Sequence, residues 1–160
     1  MRDRLSELGL VSFCKTTGGK GLHVVTPLAR PKKRQELNWA EAKQFARDVC
    51  SQIAAESPDR YLINMSKAKR SGKIFLDYLR NDQFSTAVAP LSPRARPNAP
   101  VHAVTWAQVK RGLDLAPYTI HTVPQLLKKS KAWADYCEGE RSPLEAIERL
   151  GKPSLARKAA

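Results

Sequence analysis

Apolar positions recur along this chain with two different periods, and the changes of period divide it into elements. Leu5, Leu8 and Leu10 are spaced as the end of a helix that Gly9 closes. Asn38 followed by Glu41 makes a capping-box pair. Ala42, Phe45, Ala46, Val49, Cys50 and Ile53 then repeat at helical spacing, which predicts a helix over 39–56. "LHVVT" (22–26) is β-rich and predicts a strand that Pro27 and Pro31 stop. "RYLINMS" alternates Tyr61, Ile63 and Met65 with polar neighbours, whereas "KIFLDYL" is apolar on both faces and predicts a central strand. The basic run from Ser66 to Lys73 joins the two as a hairpin or loop, with Gly72 near its end.

"STAVAP" predicts another short strand, and the proline-punctuated "APLSPRARPNAP" cannot be helical. Beyond it, Thr105 with Gln108, Thr122 with Gln125 after Pro124, and Ser142 with Glu145 after Pro143 are three successive helix starts. The expected fold is α+β: a small mixed or antiparallel sheet carrying His23 and Asp77, flanked by the 39–56 helix and closed by C-terminal helices. At 160 residues, one domain with a single core is expected.

Charge narrows the partners. With 28 Lys and Arg against 15 Asp and Glu, the formal charge is +13, which points to a polyanion such as nucleic acid; a merely soluble basic surface is the alternative. Cys14, Cys50 and Cys137 have neither disulfide-framework nor zinc-site spacing. No apolar run reaches the length of a membrane span, and the N-terminus lacks the apolar core of a signal peptide, so a cytoplasmic protein with no membrane partner is expected.

Three stretches carry candidate chemistry. "KTTGGKGLHVV" (15–25) offers glycine-rich backbone and Lys20, as a phosphate cradle does. It is not a P-loop: Gly21 stands where a Ser or Thr should follow the lysine, and the glycines lead into a strand instead of a helix. What remains is a loop with Thr16 and Thr17 hydroxyls, Lys20, and His23 at the start of the strand. An ordinary glycine turn is the alternative. Asp77 would be a carboxylate in a buried strand, explained either by metal ligation or by an ion pair with Arg80 or Lys73. Arg94 and Arg96 lie two apart in a chain that prolines keep extended, suited to phosphate oxygens or to solvent; Lys67, Lys69 and Arg70 share that ambiguity.

Taken together, "KTTGGKGLHV", "MSKAKRSGKIFLDYLRN" and "TAVAPLSPRARPNAPV" resemble the polymerase domain of bacterial ATP-dependent DNA ligase D, a member of the archaeo-eukaryotic primase group, over about residues 1–120. The resemblance implies a nucleotidyltransferase that fills gaps and adds nucleotides at broken DNA ends in non-homologous end joining. It implies a manganese or magnesium site made by an Asp-x-Asp pair and a third aspartate, here Asp77. Thr17, Lys20 and His23 would bind the incoming nucleoside triphosphate, Arg80 would lie beside the metal, Arg94 and Arg96 would contact nucleotide phosphate, and Lys67 and Arg70 would engage DNA. Beyond triphosphate and DNA ends, the implied partners are a chain supplying an N-terminal half, a ligase or an end-binding protein.

Two departures qualify the match. Thr17 stands where the family usually has serine, which keeps a hydroxyl. No Asp-x-Asp occurs anywhere in the sequence; the nearest pattern is Glu138 and Glu140 around Gly139. The chain therefore resembles the C-terminal half of the domain, with residues 1–137 as that half and 138–160 as a terminal helix and basic tail. It is expected to be catalytically incomplete, with a non-catalytic DNA-binding or end-bridging module, or a decayed remnant, as the alternatives.

Overall fold

The capping pair at Asn38 sets the longest element. In a computed structural model describing residues 1–30, 37–93 and 101–151, the Asn38 side chain accepts a hydrogen bond from the Glu41 amide, the Glu41 carboxylate accepts one from the Asn38 amide, and helix α2 runs Trp39–Glu56. Its buried face is Val49, Cys50 and Ile53. The first leucines form α1 (Arg2–Glu7), and Gly9 ends it at φ +79°, a conformation that suits a residue without Cβ. Leu5, Leu8 and Leu10 pack with Val49, Ile53 and the fully buried Ala146. Ala146 belongs to α5 (Pro143–Leu150), which starts as expected at Ser142, whose hydroxyl accepts from the Glu145 amide.

These elements form one of two compact units, made of Met1–Leu10, Ala29–Thr86 and the chain from Arg141 on; the other is Val11–Leu28 with Ala87–Glu140. The hydrophobic core cluster lies within the first unit, and the chain leaves that unit at Val11 and returns to it twice.

The first unit also holds β3 (Tyr61–Leu62) and β4 (Ile74–Phe75), a parallel pair. A parallel pair cannot be closed by a tight turn, so the basic run between them is not a hairpin. It crosses through a 3-10 turn at Lys67–Arg70 instead. The central strand expected from "KIFLDYL" is corrected too: pairing covers only Ile74–Phe75, after which the Leu79 amide donates to Asp77 Oδ1 at 3.2 Å and turns the chain. The Asp side chain competes with the ladder for its own backbone.

The second unit is built on a three-stranded antiparallel sheet of order β2-β1-β5, with β1 at Phe13–Thr16, β2 at Leu22–Val25 and β5 at Ala103–Val104. Phe13, Cys14, Lys15 and Thr16 are all buried. Trp133, at φ +65°, stacks on Tyr136 and meets Phe13 edge-on, and its indole donates to the Cys14 carbonyl at 2.9 Å. A bulky residue with positive φ is costly, and these contacts offset that cost. Helix α3 (Trp106–Lys110) has the expected capping box at Thr105 and Gln108. Helix α4 (Val123–Lys129) begins at Thr122, but that hydroxyl donates to the Pro117 carbonyl and does not cap the helix.

"STAVAP" forms no strand; Val88 gives its carbonyl to the Lys15 side chain instead. The fold class is nonetheless as expected, α+β with a small sheet, flanking helices and a helical C-terminal part. Among the described residues no helix is long and apolar enough to cross a membrane.

Two glycines separate backbone strain from simple packing. Gly72→Ala, at φ +69° and with no atom within 4 Å of the added Cβ, should cost about 1–2 kcal/mol. Gly21→Ala, whose Cβ would meet no atom within 4 Å, should stay within about 0.5 kcal/mol. Urea denaturation of both variants checks this, and equal losses would contradict it.

Candidate functional site

The glycine stretch is the turn of the β1–β2 hairpin. Gly18 takes φ +68°, and the Thr17 hydroxyl donates to the Gly21 carbonyl at 3.0 Å, closing the loop from within. Lys20 is exposed at its tip, and His23 is half-buried on β2. The antiparallel register sets Lys15 opposite His23, with Lys15 Nζ 3.0 Å from His23 Nδ1. The ammonium also donates to the Val88 carbonyl. Lys15 is only 3% exposed, and burial lowers its pKa from the ordinary lysine value. The structure therefore brings Thr17, Lys20 and His23 into one hairpin, and adds Lys15 behind them.

Lys15 is a residue that periodicity does not mark. The signal was a lysine between Cys14 and Thr16 in an otherwise buried four-residue run, but "SFCKT" was too short to announce β1. His102 was equally silent. It is 2% exposed, stacked on Tyr118 at 4.7 Å between ring centroids, and its amide donates to Thr16 Oγ1 at 2.8 Å. Burial lowers its pKa.

In the other unit, Asp77 is exposed, contrary to the buried strand position expected for it. Its Oδ2 accepts from Arg80 Nε at 3.0 Å, which is the ion pair weighed as the alternative to metal ligation. Arg80 reaches on to the Thr86 carbonyl at 3.4 Å. Below this turn, burial pushes the Cys50 thiol up to about 11, and the Asp77 carboxylate raises it further within that value. Lys67 is exposed on the 3-10 turn. Arg70 is half-buried, with its guanidinium 3.9 Å from the centroid of the Phe75 ring and Nη2 donating to the Met65 carbonyl at 2.5 Å. Arg94 and Arg96 lie outside the described residues.

A divalent ion fits this donor set poorly. Asp77 offers one carboxylate, already engaged by a guanidinium and a backbone amide. Among the described residues there is no group of three or more His, Cys, Asp or Glu side chains that could hold an ion.

Residues 1–133 match the model of the LigD primase-polymerase domain. The chain belongs to this family. A multifunctional non-homologous end joining protein LigD of Pseudomonas aeruginosa is 37% identical over 149 residues, covering 91% of this chain and 17% of that protein. The corresponding DNA repair protein of Mycobacterium tuberculosis is 36% identical over 110 residues, 68% of this chain and 14% of that protein. Among solved structures, the polymerase domain from Mycobacterium tuberculosis Ligase D in complex with DNA superposes with a TM-score of 0.71 at 28% identity. That match covers 88% of this chain and 47% of the other, so this LigD primase-polymerase family member spans about half of the domain it resembles.

The proximity of Asp77 to Cys50 is directly testable. Because the folded thiol ionises only as pH rises through about 11, alkylation by iodoacetamide at pH 8, mapped by mass spectrometry, should label the exposed Cys137 well ahead of Cys50. Asp77→Asn removes a neighbouring negative charge and should move the onset of Cys50 labelling to lower pH. An unchanged onset would contradict the placement of Asp77 beside α2.

Proposed function

We propose that this chain is the triphosphate- and DNA-binding portion of a DNA-repair nucleotidyltransferase of non-homologous end joining, and that its 160 residues alone do not turn over. The observation that carries the reading is the β1–β2 hairpin. Gly18 has positive φ, Thr17 closes the loop, Lys20 is exposed at its tip and His23 follows on the strand.

In this reading the loop amides and Lys20 hold phosphate oxygens by charge-assisted hydrogen bonds, and the His23 ring donates another. Arg80, Arg94 and Arg96 contribute guanidinium groups to the nucleotide phosphates, and Lys67 and Arg70 contact the DNA backbone. The charge of +13 supports a nucleic-acid partner, as does the DNA bound to the Mycobacterium tuberculosis domain. The family chemistry uses manganese or magnesium to activate a primer hydroxyl and neutralise phosphate charge. The single carboxylate of Asp77, engaged by Arg80, does not suffice to hold such ions. The chain's partners in the cytoplasm are then a second chain supplying further carboxylates, a ligase or an end-binding protein. The division at residue 137, with a helix and basic tail after it, belongs to the same proposal.

A second reading, a non-catalytic DNA-binding or end-bridging module, is favoured by the Asp77–Arg80 ion pair, which occupies the one candidate metal ligand. Calorimetric titration with ATP separates the two. The main reading expects measurable binding that falls at least about tenfold in both Lys20→Ala and His23→Ala, the loss of one charge-assisted bond. Unchanged affinity in both variants, or no binding by the parent chain alongside salt-dependent DNA binding, would favour the second reading.

DNA binding itself should weaken linearly in log K against log salt, and Lys67→Ala should reduce the slope by about one. A slope unaffected by that substitution would remove Lys67 from the interface.

A further inference from the structure

The buried lysine behind the hairpin is absorbed by none of the roles above, and its geometry constrains the histidine in front of it. Lys15 Nζ lies 3.0 Å from His23 Nδ1 and also donates to the Val88 carbonyl, while the side chain is 3% exposed. An ammonium has three donors and no acceptor, so in this contact Nδ1 must be the acceptor. A doubly protonated imidazole would set N–H against N–H across 3.0 Å. The Nδ1–H tautomer would do the same. With Lys15 as an ammonium, the Nε2–H tautomer is the one that pairs with it.

We propose that Lys15 is a positioning residue that locks His23 as the neutral Nε2–H tautomer, which makes Nε2–H the ring's one donor toward any anionic oxygen it meets. The assignment of that oxygen to a nucleoside triphosphate rests on the reading above; the assignment of the tautomer does not. Three features hold the lysine in place. Register pairs Lys15 with His23 on one side and with Ala103 of β5 on the other. Thr16, next along β1, ties to the amide of His102. The Val88 carbonyl takes a further N–H of the ammonium, which fixes its direction and joins the hairpin to the stretch entering "APLSPRARP". A lysine desolvated to this degree is expensive unless its donors are used, and using them on a ring nitrogen selects the ring's protonation.

The test is nuclear magnetic resonance of the full chain with 15N-labelled histidine at pH 7.5. His23 should show one protonated nitrogen, Nε2, and an unprotonated Nδ1 accepting a hydrogen bond. A ring protonated at Nδ1, or an even mixture of tautomers, in the parent chain would overturn the proposal without any variant being made. Lys15→Met should release the ring into a mixture of tautomers, and Lys15→Gln, which keeps one donor, should retain more of the Nε2–H form. A folded Lys15→Met chain with His23 still wholly Nε2–H would also overturn it. In ATP titrations Lys15→Met should lose several-fold in affinity, and Lys15→Met/His23→Ala should bind no more weakly than His23→Ala alone, since the lysine acts through the histidine. ATP affinity insensitive to His23→Ala would remove the triphosphate reading, and the tautomer measurement would still decide the role of Lys15.

Discussion

The antiparallel pairing of β1 with β2 is the constraint on which the candidate site depends. Because Thr16 pairs with Leu22 and Lys15 with His23, the five residues between them must reverse the chain, and a glycine at positive φ makes that reversal without a Cβ penalty. A slip of one residue would exchange the two faces of each strand. Lys15 would then leave its buried position, Cys14 would lose its contacts beneath Trp133, and His23 would no longer meet an ammonium. The hairpin, its aromatic cover and the arrangement of donors at its tip therefore stand or fall together.

Electrostatics divides the remaining candidates by environment. In the hairpin unit a cation is taken out of water and held by neutral acceptors, which makes its hydrogen bonds directional and few. In the helical unit the Asp77–Arg80 pair is exposed, so its attraction is screened and contributes little to stability. An exposed carboxylate paired this loosely can exchange partners at small cost, whereas the buried lysine cannot. The hairpin unit thus holds its lysine by burial, and the helical unit holds its aspartate by an exposed pair.

Helices were the most legible part of the sequence, because their ends carry their own chemistry. The Asn38–Glu41 and Thr105–Gln108 pairs each close in the structure as capping boxes. Strands were less legible, since their pairing is decided by distant partners. "LHVVT" declared itself through β-branched residues, while "SFCKT" and "HAV" are too short for a period to show, and they supply the middle and one edge of the sheet. "KIFLDYL" has the composition of a buried strand, yet Asp77 turns the chain with its own carboxylate. That Thr17, Lys20 and His23 share one hairpin was legible because glycines flag a turn. Lys15 was not, because a lysine in a short apolar run has no meaning until the register shows what lies across from it.

In the proposed function the chain carries a triphosphate cradle without the carboxylates that would make it catalytic. That combination is tested most directly by a gap-filling assay on DNA with manganese and ribonucleoside triphosphates, using the 160-residue chain alone at a concentration where it binds ATP. Binding with no incorporation of nucleotide is expected. Robust, manganese-dependent extension of the primer would contradict it.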